Sequence, residues 1–156
     1  MLAEITYREA EPNDIDNIFS LIRKSFDELV AIDYNEEGIN EFYKHINQLS
    51  LLERLKGKFY TCIAIYNNKV VGLIQFKNYN NISLFFVEKS FQQKGIGKTL
   101  FLKSLNNCIE TKPSMNTITV NSSPFAVKIY ERLGFKKTKF EQNINGIRFY
   151  PMEYNL

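Results

Sequence analysis

The chain has 156 residues, of which 44% are hydrophobic and 24% charged, with a formal net charge of +3 at pH 7. A chain of this length buries roughly 70% of the surface that its unfolded form exposes, so the composition predicts one globular domain spanning residues 1–156 and excludes a disordered chain. A net charge of +3 is too small to indicate nucleic-acid binding, which depends on clustered basic residues.

Composition also bears on location and on redox or metal chemistry. No stretch approaches the roughly 20 apolar residues that span a bilayer, and residues 1–4 lack the basic and then apolar layout of a signal peptide. We therefore expect a soluble, cytoplasmic protein that does not associate with membranes. Cys62 and Cys108 lie in apolar runs and indicate reduced core residues, and the single histidine predicts no metal site.

The N-terminal part predicts a strand followed by helices. Alternating apolar and polar residues indicate a strand at residues 5–8. A helix then begins at Pro12 and Asp14, because apolar residues follow at spacings of three and four. These apolar residues are Ile15, Ile18, Phe19, Ile22, Phe26 and Leu29. Residues 31–56 predict a second helical region with a break near Ser50.

The middle of the chain predicts three antiparallel strands. Residues 59–76 are rich in β-branched and aromatic residues, and Asn67-Asn68 interrupts them, which is typical of a tight hairpin because asparagine tolerates positive φ. The third strand, at residues 82–87, is continuously apolar. We expect it to be central and to have no solvent-exposed face.

The C-terminal part predicts a helix at residues 95–107, a strand at 117–121, a helix at 123–134 and a hairpin of strands 135–142 and 146–154. We expect Ser123 to cap its helix, Pro124 to occupy the first helical position and Gly134 to end the last turn. Asn145-Gly146 is a strong signal for the hairpin turn.

This order of elements predicts an α/β fold built on a mixed sheet. About seven strands form a mostly antiparallel sheet, and about four helices cover both of its faces.

The segment QQKGIGKT, residues 92–99, joins the central strand to a helix. Its glycines let the backbone approach a ligand, and a helix start offers unpaired amides to an anion such as phosphate. A Walker A loop would need glycine where Gln92 stands, and a dinucleotide fingerprint would need a third glycine where Leu100 stands. A turn without a ligand is the structural alternative.

The same segment resembles the acetyl-CoA loop of the GNAT superfamily of N-acetyltransferases. That loop has Gln or Arg, two residues, Gly, one residue, and then Gly or Ala, which Gln92, Gly95 and Gly97 match. Residues 121–135, NSSPFAVKIYERLGF, resemble the second signature of the family, and the order of elements matches from end to end. The N-terminal helical region carries little family signal.

The resemblance implies that the central strand and the next strand splay apart and leave a slot for acetyl-CoA as cosubstrate. The strand backbone would bind the pantetheine arm, and the loop amides would bind the pyrophosphate. Two polar residues, at positions 121 and 123, would also contact the pantetheine arm. The two lysines of the loop would add positive charge to this site or would be solvated surface residues. The implied cofactor-binding residues are Phe85, Phe86, Val87, Gln92, Gln93, Lys94, Gly95, Ile96, Gly97, Lys98, Thr99, Asn121 and Ser123.

Tyr130 matches the family tyrosine that lies near the thioester sulfur and protonates the departing thiolate. Its alternative is an aromatic core position beside Val127 and Leu133. The implied reaction is direct attack of a neutral amine on the thioester in a ternary complex, with an amide near Phe86 or Val87 stabilising the oxyanion.

The residue that removes the proton from the amine is left open by the sequence. Residues 81–87 and 117–121 contain no Asp or Glu, so the proton leaves through water, through His45 or through an acid of the N-terminal helices. These acids are Asp27, Glu28, Asp33, Glu36, Glu37 and Glu41. The acidic run would attract a cationic amine, or it is only a solvated helix face.

We therefore expect an N-acetyltransferase that transfers the acetyl group of acetyl-CoA to a primary, cationic amine of a small molecule or peptide. A non-catalytic acyl-CoA-binding sensor or interaction module is the alternative, and a nucleic-acid-binding module ranks third. Aromatic candidates for the acceptor pocket are Tyr34, Phe42, Tyr43, Phe149 and Tyr150. Family analogy also allows a homodimer through the C-terminal strands.

Overall fold

The fold is built on a sheet of eight strands in the computed structural model, which describes residues 4–156. The strands are β1 (Thr6–Glu9), β2 (Phe59–Tyr66), β3 (Lys69–Lys77), β4 (Asn81–Val87), β5 (Thr117–Ser122), β6 (Lys136–Lys137), β7 (Gln142–Ile144) and β8 (Ile147–Asn155). Their order is β1-β2-β3-β4-β5-β8-β6, with β7 paired to β8. Every pairing is antiparallel except that of β4 with β5. The predicted mixed, mostly antiparallel sheet is confirmed.

Five α-helices accompany the sheet. They are α1 (Ile15–Ser25), α2 (Glu36–His45), α3 (Gln48–Glu53), α4 (Ile96–Thr111) and α5 (Val127–Leu133). A π-helical segment, Phe26–Val30, extends α1 directly, and short 3-10 turns cover Pro12–Asp14, Ala31–Asp33 and Lys89–Phe91. None of the helices within residues 4–156 has both the length and the apolar character needed to cross a bilayer. Residues 1–3, which the signal-peptide prediction includes, lie outside the described residues.

A β-bulge at Ser83 separates β4 from β5. On β3, Gln75 pairs with Leu84 and the next residue, Phe76, pairs with Ile82, so Ser83 is the extra residue. A bulge bends its strand and increases the local twist. The pairing of β4 with β5 stops at the same place, because only Asn81 and Ile82 have partners on β5. The two central strands therefore diverge, as the splayed sheet requires.

Two hydrophobic cores lie on opposite faces of the sheet. Side chains alternate along a strand, so Ile74 enters one core and the adjacent Leu73 enters the other. Helices α4 and α5 cover the first core, which includes the fully buried Leu100 and Phe101. Helices α1 and α3 cover the second, which includes Ile22. The prediction of helices on both faces is confirmed.

The helix predicted at residues 95–107 extends to Thr111 as α4. Three other predicted boundaries are wrong for local reasons. The break expected near Ser50 lies at residues 46–47 instead, because Ser50 belongs to α3 and its hydroxyl closes a reciprocal capping box with Asn47. The helix expected at Ser123-Pro124 begins at Val127 instead. The Ser123 carbonyl accepts a hydrogen bond from the Ala126 amide at 3.1 Å and so closes a separate turn before the helix.

The strand expected at residues 135–142 is split into β6 and β7. The two pieces pair with different parts of β8, at residues 152–153 and 147–149. The turn at Asn145-Gly146 stands as predicted, and Gly146 has a φ of +85°.

Candidate active site

A cleft of about 880 Å³ occupies the gap between β4 and β5. It passes from one face of the sheet to the other, so both helical layers contribute to its walls. The α4 and α5 side supplies Gln92, Gln93, Gly95, Ile96, Gly97, Lys98, Phe125, Lys128, Ile129, Tyr130 and Arg132, together with Ser123 after β5. Asn121 also lines the cleft, but its side chain points to the opposite face from the buried Val120. The α1 and α2 side supplies Phe26, Leu29, Val30, Tyr34 and Phe42.

The edge of β4 that faces the cleft has an alternating pattern of free backbone groups. The Glu88 amide donates to the Val71 carbonyl at 2.9 Å, so Glu88 forms a hydrogen-bonded pair with β3. In an antiparallel ladder such pairs alternate, so Phe86 also turns its backbone groups toward β3, and Phe85 and Val87 turn theirs toward the cleft. Of the three predicted strand residues, two therefore present their backbone to the cleft and Phe86 does not.

The Val87 carbonyl already has a partner from the loop. Gln92 Nε2 donates to it at 3.0 Å, which ties the start of the glycine loop to the end of β4. This bond gives the first residue of the loop pattern a structural role. The Val87 amide and both backbone groups of Phe85 remain on the open edge.

The glycine loop delivers an uncapped helix start to the cleft. Gln93 and Gly95 both have positive φ, +61° and +83°, which turns the chain sharply into α4. The first α4 bond runs from the Thr99 amide to the Gly95 carbonyl at 3.0 Å, and Gly95 has no side chain to cap the preceding amides. The amides of residues 96–98 are thus available to an anion at the positive end of a 16-residue helix.

Two predicted loop residues do not line the cleft. The walls include Lys98 but neither Lys94 nor Thr99. Lys94 is exposed, in agreement with the alternative of a solvated lysine.

Tyr130 projects from α5 into the cleft wall beside β4. It is 6% exposed, and its ring makes edge-to-face contacts with Phe85, at a centroid distance of 5.9 Å, and with Phe135, at 5.3 Å. Burial raises the pKa of Tyr130 well above its ordinary value. The hydroxyl therefore keeps its proton at neutral pH, and it has no hydrogen-bond acceptor among residues 4–156.

The cleft walls carry positive charge and no carboxylate. The ionised side chains lining it within residues 4–156 are Lys98, Lys128 and Arg132. None of the six acids between residues 26 and 42 contributes to the walls. Asp27 instead accepts a hydrogen bond from the Tyr43 hydroxyl at 2.6 Å, and His45 pairs with Glu41 at 2.9 Å outside the cleft.

Other features of the site were not predicted from the sequence. Phe26 lines the cleft although its helical spacing indicates only core packing, and of the five aromatic candidates only Tyr34 and Phe42 line it. Within residues 4–156, no group of three or more His, Cys, Asp or Glu side chains is arranged to hold a metal ion.

Glu88, directly after β4, is also unpredicted. It is only 3% exposed and accepts from Lys69 Nζ at 2.8 Å and Lys24 Nζ at 3.1 Å. Burial alone would raise the pKa of this carboxyl, but the two lysine hydrogen bonds outweigh burial and lower it. Glu88 thus joins α1 and β3 to the segment that leads into the glycine loop.

A family model described as an acetyltransferase (GNAT) domain matches residues 30–156 of the chain. No curated protein sequence matches it significantly. Among solved structures, PaiA N-acetyltransferase from Thermoplasma acidophilum, in complex with coenzyme A, is similar with a TM-score of 0.82 and 19% identity, covering 99% of this chain and 100% of that one.

Two further solved structures are similar over nearly their whole length. A GCN5-related N-acetyltransferase from Rhodopseudomonas palustris has a TM-score of 0.83 and 22% identity, covering 100% of this chain and 98% of that one. An aminoglycoside 6'-N-acetyltransferase complexed with coenzyme A has a TM-score of 0.69 and 15% identity, covering 96% of each chain. At these identities the likeness shows a shared fold.

Proposed function

The chain belongs to the GNAT acetyltransferase family, and from this premise we propose that it transfers the acetyl group of acetyl-CoA to a primary amine of a small molecule or peptide. The observation that carries the proposal is the meeting of three features in one cleft. These are the uncapped start of α4, the open edge of β4 and the buried hydroxyl-bearing ring of Tyr130.

The donor fits the α4 side of the cleft. The amides of residues 96–98 suit the pyrophosphate, since a helix start binds phosphate oxygens through backbone groups alone. The Val87 amide and the Phe85 carbonyl suit the amide groups of pantetheine, which would add to β4 as an extended partner strand and leave the Phe85 amide to the thioester. Ser123 would contact the same arm from the opposite wall, and Asn121 would reach it only from the other face of the sheet.

The reaction needs few groups from the protein. The neutral amine nitrogen attacks the thioester carbonyl carbon, and the Phe85 amide, beside the Tyr130 ring, hydrogen-bonds the oxygen that becomes negative, a contribution of about 3 kcal/mol for one such donor. The carbon–sulfur bond then breaks with its electron pair on sulfur. Tyr130 gives its proton to that sulfur and regains one from solvent.

The amine proton leaves through water in this proposal. No Asp, Glu or His side chain within residues 4–156 lines the cleft, so no protein base reaches the attacking nitrogen directly. The amine must therefore enter uncharged, and turnover is expected to rise with pH toward the pKa of the acceptor.

Tyr130→Phe tests the role of the hydroxyl. Removing a general acid costs about 10²-fold or more in kcat, whereas the ring that packs on Phe85 is retained and acetyl-CoA should bind as before. Tyr154→Phe is a matched control, because Tyr154 packs in the same core without lining the cleft. Unchanged turnover in Tyr130→Phe would refute the acid role.

A second outcome distinguishes the alternative function. If the wild-type chain binds CoA by titration calorimetry but releases no free thiol with any amine, it is a sensor or interaction module instead of an enzyme.

A further inference from the structure

We infer that the acceptor is a small monoamine whose amino group is carried on an aromatic or branched apolar body, and not a polyamine or other polycation. The inference rests on the proposed function and adds the chemical class of its acceptor.

The acceptor enters from the α1 and α2 side, because the other side holds the proposed donor. Along β4 the side chains of Phe85 and Val87 pack into the core beneath α4, whereas Phe86 packs into the core beneath α1. An amine that attacks a thioester held on the β4 edge must therefore arrive over Phe86. There the cleft wall is mostly apolar and includes Phe26, Leu29, Val30, Tyr34, Phe42 and Ile147, with the uncharged polar side chain of Asn121 at the end of β5.

This wall is a rigid aromatic surface. Phe26 is only 1% exposed and stacks on Phe42 with centroids 3.8 Å apart and an interplanar angle of 5°, so it holds in place the ring of Phe42, which is partly exposed. Tyr34 meets Phe26 edge to face at 5.6 Å, and its hydroxyl donates to the Arg148 carbonyl at 3.1 Å. Because that hydroxyl is engaged within the protein, Tyr34 offers its ring to a ligand. A flat or branched apolar group finds contacts here that a polar chain does not.

The charges of the cleft exclude a second ammonium group. A cation moved from water into an enclosed site needs a carboxylate or several hydrogen-bond acceptors to offset its lost hydration. The described walls hold no carboxylate on either side, and their three ionised side chains, all positive, lie on the donor side. The attacking nitrogen reacts as a neutral amine and so loses no ionic hydration, whereas a second ammonium group would lose its hydration on entering the cleft.

The test compares 2-phenylethylamine with 1,4-diaminobutane as acceptors for the full chain, with acetyl-CoA saturating and free thiol as the readout. Burial of the phenyl ring against this wall should give 2-phenylethylamine a kcat/KM at least about tenfold higher.

A charge variant tests the cause of the preference. Leu29→Glu places a carboxylate in the wall, and the ratio of the two kcat/KM values should shift about tenfold toward the diamine. Ile32→Glu is the matched control, since Ile32 lies three residues further on, is 77% exposed and lies outside the cleft. If circular dichroism shows that Leu29→Glu is unfolded, Phe42→Leu replaces it and should lower kcat/KM for 2-phenylethylamine alone.

The outcomes separate the acceptor from the activity. A higher kcat/KM for the diamine in wild type, or the same shift in both glutamate variants, would overturn the inferred acceptor and leave the acetyltransferase proposal standing. Absence of transfer to every amine, with CoA still bound, would overturn the proposed function and the inference together.

Discussion

Alanine substitution at the two glycines of the loop should change the free energy of unfolding in opposite directions. At Gly95, φ is +83°, a region in which an alanine side chain costs about 1–2 kcal/mol although no atom lies within 4 Å of the added Cβ. At Gly97 the backbone is helical, and an added Cβ would lie 3.6 Å from Phe85 Cζ and 3.7 Å from Val87 Cγ2, which is ordinary contact. Alanine at a compatible position gains about 0.4–1 kcal/mol from the reduced freedom of the unfolded chain.

Urea unfolding at pH 7 measures both effects. Gly95→Ala should lower the free energy of unfolding by about 1–2 kcal/mol and the Tm by several degrees, whereas Gly97→Ala should raise both slightly. Gly95→Ala should also weaken CoA binding, because relieving the strain moves the amides of residues 96–98. Equal destabilisation by the two variants would refute the reasoning. It would mean that glycine is needed in the loop because a Cβ does not fit, and not because the backbone has a positive φ.

Three other predictions concern contacts away from the loop. Glu88→Gln should lower the free energy of unfolding by about 1–2 kcal/mol at pH 7. Because the folded pKa of Glu88 is depressed, this contribution is present above the unfolded value near 4.5 and is lost as the pH falls through the folded pKa, so urea curves of variant and wild type should converge in acid. Gly38→Ala should cost about 1–3 kcal/mol in urea unfolding despite alanine's higher helix propensity, because its Cβ would lie 2.7 Å from the Gly146 carbonyl carbon. Cys62 and Cys108 are buried, and burial raises the pKa of both, to about 12 for Cys108, so a thiol-reactive disulfide should label neither until urea unfolds the protein.

Features encoded by neighbouring residues could be predicted from the sequence. The hairpin at Asn67-Asn68 is an example, because both residues adopt positive φ, 48° and 59°, as that turn requires. The loop from Gln92 to Gly97 is another, since glycines between an apolar strand and an amphipathic helix indicate a helix start open to an anion. The cytoplasmic location of the protein, the extent of the domain over residues 1–156 and the homodimer remain predictions.

Features created by distant residues could not be predicted. Strand β4 is central as expected, but Phe85, Phe86 and Val87 are partly exposed because they face the cleft, and a strand that lines a cleft is as apolar as one that lines a core. The bulge at Ser83 depends on the register with β3. The aromatic wall depends on the π-helical turn that places Phe26 against Phe42, sixteen positions along the chain.

The divergence of β4 and β5 leaves an edge strand in the interior of a sheet. Unpaired strand edges usually invite pairing with other protein chains and so favour aggregation. Here α4, α5 and the π-helical segment stand on either side of the open edge, so a broad polypeptide strand with side chains on both faces meets their walls. A thin, unbranched chain bearing amide groups meets no such obstacle. The gap between β4 and β5 therefore admits a thin chain and excludes a polypeptide strand. The same restriction prevents a second copy of the protein from pairing with the open edge of β4.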